Sequence, residues 1–141
     1  KGLKADPGWR NLMATFTLKS ATGSLGEELG CRYLRQKGYK ILTTNYYNAK
    51  RRRVGEIDIV AQKGKEIVFV EVKTRREPRM DDIMPEVSIT PAKLRKLERV
   101  ANYYLRENRQ ETAVYHFDAL SIIYNDITKK ASIRHLEHIF F

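Results

Sequence analysis

Two short apolar runs in this chain end in charges where a buried strand would ordinarily stay apolar or stop. Ile57-Asp58 follows Gly55-Glu56, and thirteen residues after Asp58 the run Ile67-Val68-Phe69-Val70 leads into Glu71-Val72-Lys73. Removing such charges from water costs several kcal/mol each unless they are paired, solvated or metal-bound. Two carboxylates reaching one end of a sheet suit a hard divalent cation, Mg²⁺ with Mn²⁺ as a substitute, which takes oxygen ligands and keeps several waters. Lys73, two residues past Glu71 and therefore on the same strand face, is placed to orient a water or neutralise charge developing on a phosphate. The plainer reading is a Glu71/Lys73 salt bridge at a sheet edge, with Asp58 as a strand-end turn residue. The repetition of the pattern on two neighbouring strands favours a site.

The elements around these residues are legible from periodicity. Ser24-Leu25-Gly26-Glu27 has capping-box spacing, Leu25, Leu29 and Tyr33 recur every four residues, and Gly38 stops the pattern, which predicts a helix over 24–37. Strands are expected at 39–44, 56–61 and 66–74, with a basic turn at 45–53 and Gly64 in the second turn. Alternation puts Ile57 and Ile59 on one face of their strand and Glu56 and Asp58 on the other. In the next strand it puts Val68, Val70 and Val72 opposite Ile67, Phe69, Glu71 and Lys73, so its apolar start reads as central and buried on both faces. The segment 75–88 carries Pro78, Pro85 and many charges and reads as a loop. Thr90-Pro91 is an N-cap with proline at the first helical position, followed by the stripe Leu94, Leu97, Ala101, Tyr104 and Leu105. Strands at 113–124 and 132–140 complete the order helix, three strands, helix, one or two strands, a mixed α/β domain.

The whole chain bounds what such a domain can be. Its 141 residues suffice for one domain, and 42% hydrophobic with 31% charged residues describes a folded soluble chain. Residues 1–20 read as a tail with Met13 a possible natural start, and 21–141 as a single domain. No apolar run spans a bilayer and no signal peptide is visible, so a cytoplasmic protein is expected. Cys31 alone excludes an intramolecular disulfide and a multi-cysteine zinc site, and is expected to be buried packing. No glycine-rich phosphate loop is present. His135-x-x-His138 lies in a strand-like tail without the glutamate of a zinc-peptidase helix, which argues against metal binding by that pair.

The net charge of +10, from 27 Lys and Arg against 17 Asp and Glu, favours polyanionic partners, nucleic acid first. It divides into +3 for the tail and +7 for the domain, and 32–53 holds eight cations and no acid. Lys50-Arg51-Arg52-Arg53 immediately precedes the Asp58 strand and is suited to positioning phosphates, with Arg75 and Arg76 as further phosphate contacts. Tyr46 or Tyr47 could stack on an unpaired base or pack on the sheet. Lys93, Lys96 and Arg99 share a helix face that lines a groove or is simply solvated. No element reads as a major-groove recognition helix, so base-specific readout is not expected.

Asp58 followed by Glu71-Val72-Lys73 resembles the PD-(D/E)XK nuclease signature, with Ile57 in place of its proline. The wider set Gly23-x-x-Gly26-Glu27, Tyr33-Leu34, Gly38-Tyr39, Asn45, Gly55-Glu56-Ile57-Asp58, Phe69-Val70-Glu71-Val72-Lys73-x-Arg75 and Phe117-Asp118 is similar to the bacterial UPF0102 (YraN-like) family, over about residues 20–141. That resemblance implies a restriction-endonuclease-like mixed sheet flanked by helices, related to archaeal Holliday-junction resolvases. It implies Asp58 and Glu71 as metal ligands, Lys73 as a catalytic lysine, and Glu27 reaching the metal directly or through water. Glu27 has the alternative role of capping its helix with Ser24, and Glu56 is expected to face outward. His116 stands where family members often carry arginine. The expected function is a Mg²⁺-dependent endonuclease acting on DNA, branched or junction structures included, and a homodimer in analogy with junction-cutting enzymes. The alternative is a nucleic-acid-binding module on a nuclease fold without intrinsic cleavage.

Overall fold

A computed structural model describes residues 14–17, 25–50, 55–77 and 90–139. The chain order is β1 (Ala14–Thr17), α1 (Leu25–Gln36), β2 (Lys40–Tyr46), β3 (Ile57–Lys63), β4 (Glu66–Glu77), α2 (Pro91–Glu107), β5 (Tyr115–Asn125) and β6 (Lys130–Leu136). The six strands form one sheet in the order β1-β6-β5-β4-β3-β2. Its pairs are antiparallel except β4 with β5, which run parallel from Ile67↔Tyr115 to Glu77↔Asn125. A parallel pair needs a crossover, and α2 lies in the connection that supplies it.

The two helices cover opposite faces, as a sheet apolar on both sides requires. Leu25, Leu29, Tyr33 and Leu34 of α1 pack with Ile59, Val68, Val70, Leu120, Ile122 and Ile133. Leu97, Val100, Ala101, Tyr104 and Leu105 of α2 pack with Ile57, Val60, Ile67, Phe69, Phe117 and Ala119. Strand β4 thus contributes alternate residues to both cores, as its apolar start predicts. Helix α1 sits close to the sheet because Gly26 and Gly30 lack a Cβ. A Cβ on Gly30 would lie 2.9 Å from Ile59 Cδ1, and one on Gly26 would collide with Thr74 Oγ1 at the far end of β4. Thr90 caps α2 by accepting from the Lys93 N–H at 3.1 Å, with Pro91 opening the helix, as the sequence predicts.

Three sequence expectations are corrected. Ala14–Thr17, read as tail, forms the edge strand β1 against β6, from Ala14↔Ile133 to Thr17↔Lys130. Four residues carry too little periodicity to announce a strand, and the pairing comes from the free edge of β6. Strand β4 continues through Glu77 into the segment read as loop, because the parallel ladder with β5 satisfies its backbone despite the charges. Finally, Ile57 and Ile59 do not share a face: Ile57 packs under α2 and Ile59 under α1. Regular alternation fails at the residue between them, Asp58.

Candidate metal and phosphoryl-transfer site

The break at Asp58 is where the sheet forks. The β3–β4 ladder ends at Ile59↔Val70, while β3 still pairs with β2 at Tyr46↔Ile57 and β4 runs on beside β5. The Val72 N–H has therefore lost its β3 partner, and Asp58 Oδ2 accepts from it at 2.8 Å. A carboxylate in place of a ladder carbonyl satisfies the donor and fixes the side chain in the opening of the fork.

Burial at the fork pushes the Asp58 carboxyl up to about 6, against the opposing Val72 hydrogen bond and with help from the negative charges of Glu71, Glu27 and Glu56. Three further carboxylates are thus near enough to act on one desolvated aspartate. Glu71, half-buried on β4, borders a small cleft with Ile57, Phe69, Leu97 and Phe117. Its Oε1 lies 2.9 Å from Nζ of Lys93, in the first turn of α2. Glu27 sits in the first turn of α1, held over the end of β4 by the Gly26 contact, and its Oε2 is buried without a hydrogen-bond partner among the described residues. Ser24, the other half of the expected capping box, lies outside the described residues. Glu56 is exposed, as expected of an outward-facing strand residue.

Lys73 is exposed and makes no hydrogen bond or ion pair among the described residues, so the plain Glu71/Lys73 salt bridge does not form; Lys93 partners Glu71 instead. Sequence reasoning placed Lys93 on a basic helix face. Its distance from the capped helix start was readable, but the strand it would meet was not. Among the residues expected to touch phosphate, Lys50 is exposed in a turn where its N–H donates to Asn48 Oδ1 at 3.0 Å, and 51–53 lie outside the described residues. Arg75 is half-buried and engaged, and Arg76 is held by Asp126 at 2.9 Å and lies over the Tyr124 ring. Tyr46 is half-buried, packs edge-on against Tyr104 and donates to Glu107 Oε2 at 2.8 Å. Tyr47 is partly exposed, and Cys31 is buried, as expected.

The donor set fits a hard cation. Glu27, Asp58 and Glu71 offer only oxygens, one of them a buried unpartnered carboxylate oxygen, around a desolvated aspartate. Their ligand atoms are not drawn together: among the described residues, the set of three within 4.8 Å of one another is Asp118, His135 and Glu137. Sharing an ion among Glu27, Asp58 and Glu71 therefore requires these side chains to close in, and Glu71 to share or release Lys93.

Sequence reasoning singled out Asp118 only as half of a resembling Phe-Asp pair and missed its surroundings. Asp118 is fully buried on β5, with Oδ2 2.7 Å from His135 Nε2 and Oδ1 accepting from the His138 N–H at 3.0 Å. His116 Nε2 lies 3.3 Å from the same Oδ1. Burial acts to raise Asp118, but its contacts with His116 and His135 and the His138 N–H hold it down at about 2.

A mixed sheet covered on both faces and forked at a desolvated carboxylate defines an α/β domain with an acidic site. A family profile described as "Uncharacterised protein family UPF0102" matches residues 26–122. A UPF0102 protein of Syntrophomonas wolfei is 42% identical over 118 residues, 84% of this chain and 96% of the relative. One from Caldicellulosiruptor saccharolyticus is 36% identical over 122 residues, 86% of this chain and 98% of the relative, and one from Geobacter metallireducens 41% over 118, covering 84% and 90%. The chain belongs to the UPF0102 family. Among the described residues, no helix is long and apolar enough to cross a membrane.

Proposed function

We propose that this protein is a metal-dependent endonuclease acting on DNA, with branched or junction structures as its candidate substrates. The observation that carries the reading is Asp58 at the sheet fork, desolvated and surrounded by Glu71, Glu27 and Glu56. A half-buried, desolvated aspartate amid like charges is a poor structural choice and a good cation ligand. Asp58, Glu71 and Glu27 would hold Mg²⁺, or Mn²⁺ in its place, and the ion would supply Lewis-acid neutralisation of phosphoryl oxygens. Asp58 is held for this by Val72, and Glu27 by the close approach of α1. Lys93 compensates the Glu71 carboxylate and would share or release it for an ion to be held there. Lys73, exposed on β4 two residues beyond Glu71, is available to a phosphate oxygen approaching from solvent. Lys50 and the cations at 51–53, with Arg75 and Arg76, are the proposed backbone contacts.

The test is cleavage of single-stranded, duplex and four-way-junction DNA with Mg²⁺ or Mn²⁺. Cutting by the parent is expected to fall at least a hundredfold in Asp58→Ala and Lys73→Ala, on the scale of losing an electrostatic stabiliser. If both variants cut as well as the parent, the site is wrong. The engagement of Glu71 by Lys93 favours a second reading, a DNA-binding module without intrinsic cleavage. That reading predicts retained binding and no cutting with either metal.

A further inference from the structure

We propose that Asp118, His135 and Glu137 form a second metal site, separate from the Asp58 fork, for a borderline transition ion of the zinc class. One imidazole nitrogen and two carboxylate oxygens, all within 4.8 Å of one another, come from β5, β6 and the segment just after β6. That mixed donor set suits Zn²⁺ or Co²⁺ rather than Mg²⁺, which prefers oxygen alone. Zinc-class ligand bonds of about 2.0–2.1 Å place tetrahedral ligand atoms about 3.3 Å apart. Asp118 Oδ2 and His135 Nε2, now 2.7 Å apart, need only a small opening to admit an ion. Glu137 is exposed, so the site borders solvent on that side.

The surrounding groups orient the ligands. Asp118 Oδ1 is anchored by the His138 N–H, which leaves Oδ2 toward the ion. The Tyr33 hydroxyl lies 3.1 Å from His135 Nδ1, and the Tyr39 hydroxyl donates to Glu137 Oε1 at 3.2 Å. Without an ion, the short contact to a carboxylate puts a proton on Nε2, and a neutral ring then accepts from the Tyr33 hydroxyl at Nδ1. With an ion on Nε2, the neutral ring carries its proton on Nδ1 and donates to Tyr33, whose hydroxyl turns from donor to acceptor. A hydroxyl serves both arrangements, which a backbone group could not. The sequence pair His135-x-x-His138 is thus not the ligand pair: His135 is a ligand, while His138 lends its backbone N–H and stacks on His116 at 3.8 Å between ring centroids.

The experiment is a Co²⁺ and Zn²⁺ titration of tag-free full-length protein, followed by calorimetry and by the visible absorption of bound Co²⁺. The expected result is one ion per chain with a band of low-coordinate, nitrogen-containing Co²⁺. Asp58→Asn is expected to keep that binding. Glu137→Gln, an exposed change that leaves the fold intact, is expected to weaken it at least tenfold, and Tyr33→Phe by tenfold or more. No ion bound at micromolar concentrations overturns the proposal. So does a Glu137→Gln variant that binds with the parent's affinity and spectrum. Loss in Asp58→Asn alone assigns the ion to the fork and equally overturns it.

Discussion

At the scale of the residue, Asp58 decides most. Its carboxyl is raised by burial from 3.8 to about 6, so between those values the folded protein binds more protons than the unfolded chain. Stability from this group therefore falls as pH rises through that window, and the penalty is complete above about 6. The penalty amounts to about 1–2 kcal/mol once partial solvent exposure is allowed for. Asp58→Asn keeps an oxygen for the Val72 N–H and removes the charge. It is expected to raise urea-unfolding stability by that amount at pH 7.5, with the gain vanishing near pH 4. Millimolar Mg²⁺ is expected to raise the parent's melting temperature and not the variant's, because a ligand that binds only the folded state stabilises it by mass action. The identity of Asp58 as a charge interrupting an apolar run was plain in the sequence. Its desolvation was not, since it follows from where β3 and β4 part.

At the scale of the element, the site depends on how three secondary-structure termini meet. The start of α1 brings Glu27, the fork of β3 and β4 brings Asp58 and Glu71, and the start of α2 brings Lys93. The cap on α2 holds the last of these in place. Thr90→Ala is expected to cost about 1 kcal/mol in chemical denaturation, the usual value of a lost N-cap hydrogen bond. The same change is expected to loosen the Lys93–Glu71 pair, visible as faster exchange of the α2 first-turn amides, while the β4 amides keep their protection. A comparable loss of protection in β4 would show that Thr90 supports the sheet and not the helix start alone. The start of α2 was readable from cap chemistry, whereas its meeting with α1 on opposite sides of β4 was not. Capping is a contact over three residues, but the arrival of α2 beside Glu71 comes from the parallel crossover between β4 and β5.

At the scale of the molecule, charge is the governing quantity. The net charge is +10, and the cations at 50–53 precede β3 and its Asp58 by a few residues in sequence. Binding to DNA through such cations releases counterions from phosphate. Affinity for a four-way junction is expected to drop about tenfold or more between about 50 and 200 mM salt. Replacing Lys50, Arg51, Arg52 and Arg53 by Ser is expected to flatten that slope. A slope unchanged by the four substitutions would place the phosphate contacts elsewhere. Arg76, already held by Asp126 in an exposed pair, is expected to add less to the slope than an unpaired cation would.

Local chemistry in the sequence determined both helices and the cap of α2, the central position of β4, and the presence of Asp58, Glu71 and Lys73 as charges bordering apolar runs. Those are consequences of periodicities and turn residues acting over a few positions, and they persist whatever the chain packs against. Only tertiary structure decided that Ile57 and Ile59 part company at Asp58, that Lys93 rather than Lys73 answers Glu71, that Ala14–Thr17 closes the sheet edge, and that Asp118 lies beside His135 and Glu137. Each of these joins residues from separate segments through strand order and register. Strand order is set by the burial of two whole faces at once, and no short window of sequence contains it.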